Sequence, residues 1–121
     1  MAKKILLVDD SEAARKSVAF TLRQSGYEAT EVSDGAEGVE KAKNATFDLV
    51  ITDISLPVID GLALACELRQ LPEYKLKPIL VMGSEAELSK VNQAKESGVS
   101  GWLLKPFDGA KLLSTVGRLL K

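Results

Sequence analysis

Four short apolar runs and one mixed stretch, Glu28 to Val32, are spaced along the chain, and a stretch with helical periodicity follows each of them. The first run, Lys4 to Val8, leads through Asp9-Asp10-Ser11 into a helix expected over about Glu12 to Ser25. Ala14, Val18 and Leu22, joined by Phe20, would form its inward stripe, and Gly26 would stop it. Glu28 to Val32 reads as a second strand. A second helix follows over about Ala36 to Asn44, with Asp34 and Glu37 spaced as a capping box. Leu49, Val50, Ile51 and Thr52 are apolar or β-branched and too few for a helix. They predict a strand buried on both faces, ended by Asp53. Pro57, in the loop that leaves this strand, bars the backbone from pairing onward.

A third helix is expected over about Leu62 to Leu71, followed by a polar connector from Glu73 to Lys77. Pro78 to Met82 predicts a fourth strand ended by Gly83. Ser84 and Glu87 are spaced as the capping box of a fourth helix, which Gly98 terminates. Gly101 to Leu104 reads as the fifth strand, Lys105-Pro106-Phe107 as a turn, and about Asp108 to Leu120 as the last helix. This alternation predicts a single domain over residues 1–121, an α/β fold with one parallel sheet and helices on both faces. The expected architecture is a flavodoxin-like (βα)5 three-layer sandwich with strand order 2-1-3-4-5. That order opens a crevice at the carboxyl ends of the first and third strands, where Asp9, Asp10 and Asp53 lie.

Composition narrows the possible chemistry. A chain of 121 residues makes one core that buries roughly two-thirds of the unfolded surface. With 45% hydrophobic and 27% charged residues it has an ordinary globular make-up. A net charge of −1 supplies no basic footprint, so neither nucleic acid nor an anionic membrane is expected as a partner. No apolar run approaches the roughly 20 residues of a membrane span. The basic-then-apolar start imitates a signal peptide, but its apolar run is short and leads to Asp9-Asp10, so a cytoplasmic location is expected. A single cysteine, Cys66, excludes an internal disulfide framework, and its place on the apolar side of the third helix points to packing. The chain has no histidine. That removes Ser-His and Cys-His nucleophile pairs and the histidine-containing zinc sites, and leaves carboxylates, lysines and hydroxyls.

Three carboxylates at one crevice repel one another, and such a cluster has an evident use in holding a cation. Hard, few and partly solvated oxygen ligands suit Mg2+, which keeps several waters and accepts phosphate. The fifth strand brings Lys105 to the same edge, where an ammonium can pair with an anion such as a phosphoryl group. A nucleophilic aspartate that forms an aspartyl-phosphate needs this set of parts. Taken singly, each part has a simpler reading. Asp9 and Asp10 can cap the first helix, and Lys105 can be a solvated loop lysine.

Asp9-Asp10 after the first strand, Asp53 after the third with Pro57 and Asp60-Gly61 following, and Lys105-Pro106-Phe107 after the fifth together resemble a response-regulator receiver domain of the chemotaxis type. The resemblance runs from Lys3 to Leu120. It implies that Asp53 is the phosphoacceptor and that Asp9, Asp10, Asp53 and the Ser55 backbone carbonyl hold Mg2+. It further implies that Lys105 contacts the phosphoryl group, that the bond to Pro106 is cis, and that Ser55 and Glu85 flank the phosphoryl group. Where receivers usually carry a switch hydroxyl this chain has Gly83. Ser84 either stands in for it or caps the fourth helix. The position of the usual switch aromatic falls on Trp102.

The function this implies is that of a stand-alone receiver in a two-component phosphorelay. It would be a phosphoacceptor rather than an enzyme, with at most slow self-phosphorylation and self-dephosphorylation. Its expected partners are a histidine kinase or phosphotransfer protein and an unidentified downstream protein. They would meet a face that includes Lys90, Val91, Lys95, Val99 and Trp102. The alternative is a binding module of the same fold that recognises its partner without switching, for which Gly83 is the support. A small-ligand enzyme or nucleotide binder fits poorly, because the chain lacks a G-x-G-x-x-G or P-loop motif and an acidic crevice repels free phosphates.

Overall fold

The computed structural model describes residues 2–121. Its strands are β1 (Lys4–Val8), β2 (Glu28–Val32), β3 (Leu49–Asp53), β4 (Ile79–Ser84) and β5 (Gly101–Lys105). Its helices are α1 (Glu12–Gln24), α2 (Gly35–Asn44), α3 (Gly61–Arg69), α4 (Val91–Glu96) and α5 (Gly109–Leu119). All five strands are parallel and lie in the order β2-β1-β3-β4-β5. The α/β, flavodoxin-like architecture read from the alternation is therefore the one the chain adopts. Among the described residues no helix is long and apolar enough to cross a membrane.

The central strands bury both faces because their residues are apolar at odd and even positions alike. On β1, Ile5 and Leu7 join Leu49, Ile51, Leu80, Met82 and Leu103 beneath α1 and α5. Leu6 and Val8 point the other way, where Val50 and Ile79 meet Leu64, Ala65 and Leu68 of α3. Each fully buried Leu or Ile in these layers contributes about 2 kcal/mol of transfer free energy. A smaller cluster of Ile54, Leu62, Val81 and Ala94 packs against Trp102 between the sheet and α4.

The start of the sheet is closely tied together. The Tyr74 hydroxyl accepts from the Phe47 N–H at 3.0 Å and shares its proton between the carbonyls of Ala45 (2.7 Å) and Ala42 (3.1 Å). Arg69 donates to the carbonyls of Gly98, Lys77 and Tyr74 and to the Ser100 hydroxyl.

Several local expectations are corrected. Phe20 points outward and is 64% exposed, and Ala19 takes its place in the core. One residue is about 100° around a helix, so the two cannot share a face. Cys66 is exposed rather than packed. Glu37 closes its cap on the N–H of Ser33 rather than Asp34, while Asp34 accepts from the Glu37 N–H as the spacing required. The fourth helix is split into a 3-10 segment, Glu85–Lys90, and α4. Gly83 does not end β4, for the strand continues to Ser84 with Gly83 opposite Leu104 and Ser84 opposite Lys105.

Candidate functional site

The carboxyl ends of β1, β3 and β5 deliver four charged side chains to one edge of the sheet. Asp9 follows β1 directly and is almost wholly buried, while Asp10 is exposed. The Asp9 carboxylate accepts from the Ser11 N–H at 2.9 Å, and its backbone carbonyl accepts from Arg15 at 2.9 Å. Arg15 is itself held by Glu31, which also meets Lys16 and Arg23. The first turn of α1 is capped by Ser11, which accepts from the Ala14 N–H. Asp9 and Asp10 therefore have no capping duty that accounts for their side chains.

Asp53 is the last residue of β3 and is 7% exposed. Lys105, the last residue of β5, places its ammonium 3.0 Å from Asp53 Oδ1. The bond from Lys105 to Pro106 is cis. Gly61 closes the loop behind Asp53, where a Cβ would run into the Asp53 carbonyl and Ile54, so only glycine fits. Asp60 caps α3 by accepting from the Ala63 N–H at 2.8 Å. Between Asp53 and Asp60 the loop carries Val58 at φ 67°, a β-branched residue in the left-handed region, 95% exposed.

Oxygen atoms of Asp9, Asp10 and Asp53 lie within 4.8 Å of one another. Three hard oxygen donors at that spacing, two on buried residues and one facing water, suit a small divalent cation that keeps part of its hydration shell. Burial pushes the Asp9 carboxyl above the ordinary carboxylate range, and the charges of Asp53 and Asp10 push the same way. The Ser11 N–H and Lys105 act against that rise. A cation would relieve the same crowding.

The end of β4 departs from the expected layout. Gly83 is buried, and the space a Cβ would take there is filled by the six-membered ring of Trp102. The Trp102 indole N–H is buried without a hydrogen-bond partner. Ser84 has extended backbone and opens the 3-10 segment, with its N–H (2.8 Å) and hydroxyl (3.1 Å) both donating to Glu87 Oε1. Glu87 Oε2 accepts from the Ser55 hydroxyl. Glu87 is thus the acidic side chain bonded to Ser55, and Glu85 is exposed. The capping-box spacing singled out Glu87 in the sequence, but nothing there showed that its second oxygen would reach Ser55. Those bonds, the one to Ser55 foremost, hold the Glu87 carboxyl below its ordinary range. Lys90 and Lys95 are exposed, and Val91, Lys95, Val99 and Trp102 line a shallow cavity of about 90 Å3.

Comparison with known proteins agrees with this geometry along the chain. The family described as response regulator receiver domain matches residues 5–117. The chemotaxis protein CheY-3 of Vibrio cholerae is 34% identical over 119 residues, covering 98% of this chain and 92% of that one. Among solved structures, chemotaxis protein CheY4 of Vibrio cholerae superposes with a TM-score of 0.95 at 39% identity, covering 99% of this chain and all of that one. The receiver domain of sensor histidine kinase PA1611 from Pseudomonas aeruginosa, solved with a magnesium ion in its active-site cleft, matches at 29% identity and a TM-score of 0.91. That match covers 99% of this chain and 98% of that one. With the family matched over nearly its whole length and the three aspartates clustered where a phosphoacceptor site lies in receivers, this chain belongs to the response-regulator receiver domains.

Proposed function

We propose that Asp53 is the residue on which this receiver takes a phosphoryl group, with Lys105 as the cation that meets the phosphoryl oxygens. The observation that carries the assignment is the 3.0 Å pair of Lys105 Nζ and Asp53 Oδ1 beside two further carboxylates. An Asp53 oxygen attacks phosphorus, the bond from phosphorus to the donor breaks, and the donor leaves with the electron pair. From a phosphohistidine the broken bond is P–N, and the imidazole takes up a proton. A carboxylate nucleophile needs no general base, which suits a chain without histidine. Asp9, Asp10, Asp53 and the Ser55 carbonyl would hold a Mg2+ ion, which when bound neutralises charge on the phosphoryl oxygens. Receivers are signalling domains rather than true enzymes, and return to the resting state needs only attack of water on the same phosphorus.

The phosphoryl donor is a histidine kinase or phosphotransfer protein, and the setting is the cytoplasm. Output is a protein contact on the α4–β5–α5 face, where Lys90, Val91, Lys95, Val99 and Trp102 lie. The test is intact-mass measurement after incubation with acetyl phosphate and Mg2+. A single phosphoryl adduct is expected, lost with a chelator and lost in Asp53→Asn. An adduct that persists in Asp53→Asn, or none in the unaltered protein, overturns the assignment. A second reading, constitutive partner recognition without switching, is favoured by the missing hydroxyl at Gly83. It predicts partner affinity indifferent to the adduct.

A further inference from the structure

Glu87 joins the end of β4 to the loop leaving β3, which otherwise share no side-chain bond among the described residues. One carboxylate oxygen holds the N–H and hydroxyl of Ser84, and the other holds the Ser55 hydroxyl. Ser55 lies two residues past Asp53 on the loop leaving β3. Ser84 is the last residue of β4, opposite Lys105 in the sheet. A single side chain therefore ties together the ends of the neighbouring strands β3 and β4, beside the acidic pocket. Lys105 serves both carboxylates, bonding Asp53 directly and stabilising the ionised form of Glu87 through its charge. Next to this tie, Gly83 offers no hydroxyl, and the Trp102 ring occupies the place of its side chain. A phosphoryl group on Asp53 has nothing at residue 83 with which to pull β4 inward. It can still push.

We propose that Glu87 is the positioning residue of a latch that binds Ser55 to Ser84 in the resting protein. In this scheme a phosphoryl group on Asp53 expels the Glu87 carboxylate and frees the end of β4. The inference rests on Asp53 being the phosphoacceptor. The incoming group adds negative charge beside an existing carboxylate and claims Lys105 as its own partner. Expulsion leaves the Ser84 hydroxyl and N–H without their acceptor, so the hydroxyl one residue past Gly83 becomes available to a phosphoryl oxygen. The movement is felt by Trp102, whose ring rests on Gly83 and whose N–H lacks a partner.

The experiment follows the adduct by intact mass and Trp102 emission in the same samples, with acetyl phosphate and Mg2+. In the unaltered protein the emission shift should track the labelled fraction. Glu87→Ala, with the latch removed, should show the labelled protein's emission before any donor is added and change little afterwards. Glu87→Gln keeps an acceptor for Ser84 and a donor for Ser55 but has no charge to repel. It should form the adduct and retain the resting emission. Resting emission in Glu87→Ala that equals the unaltered protein's, or a full shift in Glu87→Gln, overturns the latch. An adduct with no emission change in the unaltered protein also overturns it and leaves the Asp53 assignment standing. Absence of any adduct is read in the mass channel and removes both. Should Glu87→Ala fail to fold, the Glu87→Gln arm decides alone.

Discussion

The two ends of the sheet follow opposite rules. At the end where the strands begin, polar groups are matched. Tyr74 satisfies Phe47, Ala42 and Ala45, Arg69 satisfies three carbonyls, and Asp48 accepts from the Lys4 N–H at 2.8 Å. At the end where the strands finish, like charges are gathered, Val58 sits at a positive φ, and the Trp102 N–H goes unpaired. The difference teaches where the molecule keeps its stability and where it keeps its chemistry. A pocket of crowded carboxylates is tolerable because the opposite edge, and the apolar layers between, hold the strands in register without it.

Arg69→Ala is the most damaging change expected at the matched end. It strips partners from the Gly98, Lys77 and Tyr74 carbonyls and should cost about 3 kcal/mol in urea unfolding. The adduct per folded molecule should stay unchanged. If labelling fell in proportion to stability, the separation of the two ends would be wrong.

Glu31 gives the next effect, because it steadies the Arg15 that holds the Asp9 backbone. Burial works against its charge. Lys16, Arg15 and Arg23 nonetheless hold the carboxyl below its ordinary 4.5. A carboxyl lowered on folding contributes stability above its unfolded value and loses it as pH falls through the folded one. The stability difference between the unaltered protein and Glu31→Gln should be about 1–2 kcal/mol at neutral pH and shrink below pH 4.5.

Changes within the carboxylate cluster itself should run the other way. Asp9→Asn removes one of three crowded carboxylates and should stabilise the metal-free protein by about 1 kcal/mol. Thermal unfolding should also show that Mg2+ no longer raises its melting temperature. Destabilisation by Asp9→Asn without metal would mean that the cluster is not under charge strain. The smallest effect is expected from Val58→Asn, which tolerates the left-handed backbone and should add about 0.5 kcal/mol.

The same contrast explains what could be read from the sequence. The identity of four of the five strands followed from short apolar runs, whereas β2 is of mixed character. Strand order then put Asp9, Asp10 and Asp53 at one edge without any knowledge of side-chain conformation. Helix faces were less secure, as Phe20 and Cys66 show, because one residue of phase moves a side chain from core to solvent. The end of β4 was least legible. A glycine after an apolar run is the usual mark of a strand end, but here the strand continues through it by pairing with β5, and the Trp102 ring fills the space a side chain would take. The reach of Glu87 to Ser55 joins a 3-10 segment to a loop 32 positions away, and no local spacing rule encodes such a contact.

The packing of Trp102 on Gly83 also makes the route to any other version of this site directional. A side chain added at residue 83 first would collide with the indole. Residue 102 must shrink or its ring must turn aside before a hydroxyl can arrive at 83, and an intermediate with both positions small would carry a cavity between β4 and α4. Of the two orders in which that pair of changes could accumulate, only the one that begins at residue 102 makes room for the new side chain without displacing the indole.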